Sequence, residues 1–247
     1  HHGRQCLYFR GKIVNPTDHA VSAKALKRFV KDIFLSSGVA DEHAEVWADM
    51  LVWANLRGMD SHGVLRIPRY IAYMKNGNIH ARPDMKVEKR SGAIAVIDSD
   101  WAPGPVALSA AMDEAIGRAR ECHLGWCIVR NITHGGAIGY FAMQAARQGF
   151  AGIVMTASRP MMAYHGAKTA GASTNPIAIA VPGGEHPPML LDMSTATVSM
   201  GKILAAQDTG TPIPDGWGID ADGHNTNDAN AVETLMPLGG AKGSGLS

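Results

Sequence analysis

His62, Arg66 and Tyr70 follow one another at four-residue steps within the run from Leu56 to Tyr70. A histidine can exchange a proton near neutral pH, an arginine can hold a carboxylate through paired N–H donors, and a phenol can donate or accept a hydrogen bond. If a helix starts near His62, the three fall on one face at i, i+4 and i+8, opposite Val64, Ile67, Ile71 and Met74. Ser61 is a suitable N-cap for that helix. Pro68 disturbs the pattern, since it would either kink the helix or take the first position of one that starts later.

His134 repeats the local setting of His62. Each is preceded by Ser or Thr and followed by Gly, so each ring leaves a turn with room for a ligand beside it. Taken alone, either could equally be a half-exposed or capping histidine. The run Thr133 to Tyr140 could aim backbone N–H groups at a pyrophosphate from a helix N-terminus. Its glycines, Gly135, Gly136 and Gly139, do not make the G-x-G-x-x-G fingerprint, and an ordinary tight turn explains them as well.

Asp192 ends an apolar run, where it could orient a histidine or accept ribose hydroxyls, or simply N-cap the helix that follows. Lys242, between glycines, could reach a phosphate or a substrate as a mobile point charge, or be a solvated lysine. Asn175-Pro176 reads as a turn opening a strand. The 11 histidines include no H-E-x-x-H, no H-x-H and no carboxylate cluster at ligand spacing, so no metal is expected.

The elements that must position these residues can be read in order. Leu26, Phe29, Val30, Ile33 and Phe34 make an amphipathic stripe after Ser22, with Gly38 as its C-terminal cap. Asp41 is expected to cap a second helix with Ala44, Trp47, Leu51 and Ala54 inward, ending at Gly58. The region up to about residue 75 is therefore helical and delivers His62 at a loop-to-helix junction. Strands are expected at 93–97, 126–129, 152–156, 177–181 and 189–191, and helices at 106–119, 141–148 and 198–206. Beyond Gly210 turn residues dominate.

At 247 residues the chain can bury a large core as one big domain or two ordinary ones. With 23 Lys plus Arg against 22 Asp plus Glu, there is no basic field for nucleic acid or an anionic membrane, and the expected partner is small. No apolar run reaches the length of a membrane span, no secretory leader opens the chain, and the expected compartment is the cytoplasm. Cys6, Cys122 and Cys127 form no CxxC motif and are read as buried thiols. The opening, His1-His2 followed by Leu7-Tyr8-Phe9-Arg10-Gly11, has the look of a tag remnant. The expected division is therefore a remnant over 1–12, an N-terminal helical part over 13–90, and a mixed-sheet cofactor-binding domain over 91–247. The glycine-rich close from Gly239 to Ser247 suggests that more sequence follows.

Several of these blocks, in this order, resemble the malate/L-lactate dehydrogenase family of the non-Rossmann type, which includes ureidoglycolate dehydrogenase, diketogulonate reductase and piperideine-2-carboxylate reductase. They are Arg57-Gly58 through Ser61-His62-Gly63 to Arg66 and Tyr70, His134 to Tyr140, Thr174-Asn175-Pro176 to Pro182, Asp192-Met193-Ser194 to Gly201-Lys202, and Pro237 to Gly243. The resemblance implies an α/β fold of mixed α+β type, with a largely antiparallel mixed sheet wrapped by helices and a dinucleotide site unlike Rossmann domains. It implies a homodimer with the active site between subunits, NAD or NADP as cofactor, and a small carboxylate substrate.

By the same resemblance His62 is the acid/base, and His134 is a rival for that role. Arg66 holds a substrate carboxylate or a cofactor phosphate, and Tyr70 holds the substrate. Ser158, Asn175, Asp192, Met193, Ser194, Lys242 and Gly243 hold the cofactor. The implied reaction is hydride transfer between NAD(P) and a 2-hydroxy or 2-oxo acid. A ureidoglycolate dehydrogenase or cyclic imino acid reductase of the same family is the alternative, as is a non-catalytic dimerising or ligand-binding homologue. Where family members usually carry Gly-Thr-Asn-Pro, this chain has Ser173-Thr174-Asn175-Pro176.

Overall fold

The structure is a computed structural model that describes residues 20–247. The expected tag remnant and Cys6 lie outside the described residues. Helix α1 (Ala23–Ser36) starts where its cap predicts, with the Ser22 hydroxyl accepting from the Ala25 N–H at 3.2 Å. Its inward stripe is narrower than the pattern implied, because Phe29 is 62% exposed while Val30 and Phe34 are fully buried.

Helix α2 (Asp41–Leu56) buries Ala44, Trp47, Leu51 and Ala54 as the spacing predicts. Its expected cap is different, however: Asp41 is already helical, and its carboxylate pairs with Lys31 of α1 at 3.0 Å. Lys27 adds ion pairs to Glu45 and Asp49 of α2.

The helix expected from His62 breaks into two short 3-10 turns, Asp60–His62 and Val64–Arg66, and α3 (Ile67–Lys75) begins only after them. Pro68 sits in its first turn, where the missing N–H costs nothing. Ser61 is therefore inside a turn and caps no α-helix. Phe34 stacks on Trp47 at 4.1 Å between ring centroids, and Trp47 meets Tyr70 of α3 at 5.1 Å, which locks the three helices together.

The rest of the chain runs β1 (Lys86–Ser91), β2 (Ile94–Asp98), α4 (Gly104–Cys122), β3 (Trp126–Arg130), α5 (Gly139–Ala146) and β4 (Gly152–Met155). After these come β5 (Met162–Ala163), β6 (Ala170–Ala172), β7 (Ile177–Val181), β8 (Met189–Met193), α6 (Met200–Thr209), β9 (Gly218–Ile219), β10 (Thr234–Leu235) and α7 (Ala241–Leu246). They form three small sheets, ordered β1-β2-β3, β6-β5-β10-β9 and β4-β7-β8. Five strand pairs are antiparallel and two, β2 with β3 and β5 with β10, are parallel.

This is the expected mixed, largely antiparallel α+β architecture, divided among three sheets. The strands on either side of the His134 glycine turn, β3 and β4, lie in different sheets, so strand, turn, helix and strand make no Rossmann unit here.

Two apolar clusters hold the molecule. The larger joins α1, α2 and α3 to α4, α5, β4 and β7 around Trp47, Phe34, Tyr70 and Phe141. The smaller gathers Met162, Val198, Ile203, Ile213 and Leu235 around α6 and the β5-β10 pair. The thiols are not buried as expected: Cys122 is exposed at the end of α4, and Cys127 is half-buried on β3, where successive residues alternate faces.

Candidate active site

Asn55, near the end of α2, shapes the turn that carries His62. Its Oδ1 accepts from the Val64 N–H at 2.9 Å and its Nδ2 donates to Asp60 at 2.5 Å. A side chain at Gly63 would put its Cβ 2.2 Å from Asn55 Oδ1, so the glycine is what lets the turn close on α2. Arg66 is tied back to the same turn, its Nε donating to the Ser61 carbonyl at 2.6 Å.

The His134 segment is held from the other side by the start of α4. Thr133 Oγ1 accepts from the Gly104 N–H at 3.0 Å and donates to the Ala102 carbonyl at 2.7 Å. A Cβ on Gly104 would come 2.2 Å from the His134 carbonyl oxygen, so α4 can approach this closely only with glycine there.

The two anchored segments bring the imidazoles face to face, with ring centroids 5.5 Å apart and planes 22° from parallel. Behind His134, Tyr70 is buried and its hydroxyl lies 2.9 Å from His134 Nδ1. His62 Nδ1 lies 3.0 Å from Ser61 Oγ. Burial, with the charge of Arg66, pushes His62 down to about 4. His134 is lowered too, first by the protein that encloses its back edge and then by His62, Arg66 and Arg69, although the ring is open to solvent on its cavity side. Both rings are neutral at pH 7. Burial raises Tyr70 to about 12, which keeps it a protonated phenol. An enclosed hydroxyl with no acceptor would cost about 1–3 kcal/mol.

His62, Arg66 and His134 line a cavity of about 580 Å3, a size suited to a small-molecule ligand. Of the residues expected from sequence, Ser158, Asp192, Met193 and Ser194 share its wall. Tyr70 does not reach the wall and touches His134 instead. Asn175 stands between two lining residues, Thr174 and Pro176, at φ +26°, with its Oδ1 enclosed and unpartnered. Lys242 and Gly243 sit on α7, whose Ser244 hydroxyl accepts from the His165 N–H at 2.9 Å, away from the cavity lining.

Asp192 neither touches a histidine nor caps the helix that follows it. It reaches across from β8 to the first turn of α5, where its Oδ2 accepts from the Gly139 N–H at 2.9 Å. The helix end that sequence offered to a pyrophosphate is thus filled by the protein's own carboxylate. Burial raises the Asp192 pKa, opposed by that N–H.

Ser173 is 5% exposed, and its Oγ accepts from the Ser158 N–H and meets the Ser158 hydroxyl, both at 3.0 Å. It fixes the Ser158 loop from below. The residues missed in sequence are Asn55, Thr156 and Ser199, single polar residues with no spacing pattern to single them out. Away from the cavity, Asp220, Asp222 and His224 bring ligand atoms within 4.8 Å of one another, but Asp220 Oδ1 already accepts the N–H groups of Asp222 and His224.

The fold and the cavity define a mixed α+β protein with a non-Rossmann ligand site built around paired histidines and an arginine. A sequence profile described as malate/L-lactate dehydrogenase spans residues 21–247, and the chain belongs to that family. L-sulfolactate dehydrogenase of Methanocaldococcus jannaschii is 42% identical over 223 residues, which make up 90% of this chain and 64% of the relative. Its solved structure superposes with a TM-score of 0.84 at 40% identity, over 91% of this chain and 65% of that one.

The NAD(+)-dependent ureidoglycolate dehydrogenase of Escherichia coli is 35% identical, over 92% of this chain and 65% of its own length. The Δ1-piperideine-2-carboxylate reductase of Pseudomonas syringae superposes with a TM-score of 0.87 at 30% identity, over 93% of this chain and 70% of that one. The chain spans just under two-thirds of the length of the curated relatives it matches.

Proposed function

We propose that this protein is an NAD(P)-dependent oxidoreductase that moves a hydride between the nicotinamide and a small 2-hydroxy or 2-oxo acid. The observation that carries this reading is the convergence of His62, Arg66 and His134 with Ser158, Asp192, Met193 and Ser194 on one cavity. Oxidising a hydroxyl requires a group to take its proton, and a neutral imidazole at pH 7 is ready to do so. Arg66 supplies the positive charge that holds a substrate carboxylate beside it.

The cavity suits the nicotinamide and its ribose. Its far wall carries the Ser158 and Ser194 hydroxyls and small residues such as Ala157 and Gly201, which let a flat ring come close. When bound, the nicotinamide supplies the hydride acceptor or donor. In reduction the substrate must gain a proton from an imidazole that is neutral when empty. The arriving carboxylate raises the histidine pKa and so favours the protonated form.

The same reading makes the protein cytoplasmic and a homodimer with its site between subunits, assembled from a helical part over 13–90 and a cofactor-binding part over 91–247. Among the described residues no helix is long and apolar enough to cross a membrane. Met155, Ile153, Met189 and Leu191 are exposed on one side of the β4-β7-β8 sheet, which supports self-association.

The test is the absorbance of NADH and of NADPH with pyruvate, oxaloacetate, sulfopyruvate and a cyclic imino acid, on protein of known intact mass. Turnover of a 2-oxo acid is expected. Turnover of the imino acid alone would replace the substrate class, and silence with every pair would overturn the oxidoreductase reading. Light scattering on the same sample should report a dimer.

A further inference from the structure

Two imidazoles face one cavity, and their back edges are tied in different ways. A neutral imidazole carries one proton, on Nδ1 or on Nε2, and the partner of one nitrogen decides the state of the other. His134 Nδ1 is 2.9 Å from the Tyr70 hydroxyl, and Tyr70 is 1% exposed. If Nδ1 carried the proton it would donate to the phenol oxygen, and the phenol O–H would be enclosed with no other acceptor among the described residues. If Nε2 carries it, Tyr70 donates to a bare Nδ1 and both groups are satisfied. Only the second arrangement leaves no buried donor unmet. It also turns an Nε2–H toward the cavity.

His62 is under no such constraint. Its Nδ1 meets the Ser61 hydroxyl at 3.0 Å, and Ser61 is only half-buried. A serine hydroxyl rotates to donate or accept, and solvent can take its proton. His62 can therefore keep its own proton on Nδ1 and present a bare Nε2. The stacked rings set the two cavity edges side by side.

We infer that Tyr70 is a positioning residue that fixes His134 as the Nε2–H tautomer, making His134 a hydrogen-bond donor to the substrate oxygen and leaving His62 as the proton acceptor. The functional half rests on the proposed oxidoreductase reading, while the tautomer does not. In oxidation the substrate O–H bond breaks and its proton goes to His62 Nε2. The C–H electron pair leaves with its hydrogen as hydride to the oxidised nicotinamide, and the carbonyl forms. The His134 Nε2–H stays intact throughout and donates to the oxygen as its charge grows.

The first measurement is the imidazole 15N shifts of the full chain, uniformly labelled and free of substrate. An unprotonated Nδ1 and a protonated Nε2 at His134 are expected, giving way to a mixture of tautomers in Tyr70→Phe. A protonated Nδ1 at His134 in the unaltered protein overturns the inference. The second measurement is turnover. His134→Gln keeps an amide N–H where the Nε2–H stood but cannot accept a proton, so it should stay within about tenfold of the parent kcat, while His134→Ala falls about 100-fold. A glutamine variant as poor as the alanine variant would make His134 the base and overturn the inference. If no substrate turns over at all, the oxidoreductase reading falls and the 15N shifts still decide the role of Tyr70.

Discussion

The two apolar clusters contribute to the cavity in different ways. The larger is anchored by stacked and tilted aromatic rings at Phe34, Trp47 and Tyr70, and it carries the directional groups, His62, Arg66 and His134. The smaller is built on one helix, α6, with strands of two or three residues and short connections, and the wall nearest it offers hydroxyls, small side chains and backbone, as at Ser158, Ser199 and Gly201. Proton transfer tolerates little displacement of the reacting atoms, and its residues sit on short turns pinned to long, densely packed helices, by Asn55 of α2 and by the Gly104 N–H of α4. A cofactor wall mainly needs shape, which short strands and turns can provide.

That contrast can be broken most directly at His62. A His62→Ala variant should lose about 10^2- to 10^4-fold in kcat while cofactor affinity, measured by fluorescence titration, stays within a few-fold. Comparable loss of cofactor binding would show that the two walls are not separate in function. Trp47→Ala removes the largest fully buried side chain of the helical cluster and should cost about 3–5 kcal/mol in urea denaturation. A cost below 1 kcal/mol would remove the rigid-scaffold argument.

Asp192 ties β8 to the start of α5. Asp192→Ala should cost about 1 kcal/mol by leaving the first turn of α5 uncapped, and Asp192→Asn, which keeps an acceptor, should recover most of it.

Acid should weaken the histidine side as well. His62 has a folded pKa of about 4 against an ordinary 6.5, and His134 is also lowered. The unfolded chain therefore binds protons that the folded chain refuses, so stability falls as pH drops below 6.5; the His62 part of the loss is complete near 4, while His134, lowered to about 3, and carboxylates held low by their partners, such as Glu114 and Asp98, carry the fall further. His62→Gln should flatten that slope in thermal melts taken across the same range. The smallest effect is expected at Lys242→Ala, which should leave the KM for cofactor within about twofold, since α7 does not line the cavity. A tenfold rise in KM would bring α7 into the site.

Much of the helical half was legible in the sequence. The stripe of Val30 and Phe34 and the inward set of Ala44, Trp47, Leu51 and Ala54 are local patterns with a helical period, and each element formed where its pattern lay. β1 was not legible, because every residue from Lys86 to Ser91 is exposed and no alternation marks it. Strands as short as β5, β9 and β10 have no room for a period at all.

The site divides along the same line. Residue types named His62, Arg66 and His134 as candidates, but the contacts that assign their surroundings join distant positions. Tyr70 meets His134 across 64 residues, and Asp192 meets Gly139 across 53. The local pattern at Pro68 left open a kink or a late start, and the start was late because the Asn55 side chain holds the preceding turn in a tighter 3-10 form.

The bond from Asp192 to Gly139 has an optical consequence. Tyr140, next in sequence, packs edge-on against Trp53 with ring centroids 5.7 Å apart, and Arg57 lies over the same indole at 4.4 Å. A ligand that drew the Asp192 carboxylate into the cavity would free the Gly139 N–H at the start of α5 and, against the bond that holds the Tyr140 hydroxyl to Asp49, would shift the phenol beside that indole. Tryptophan emission would then change in colour and intensity as the cavity fills, so occupancy could be followed without any dye, label or turnover.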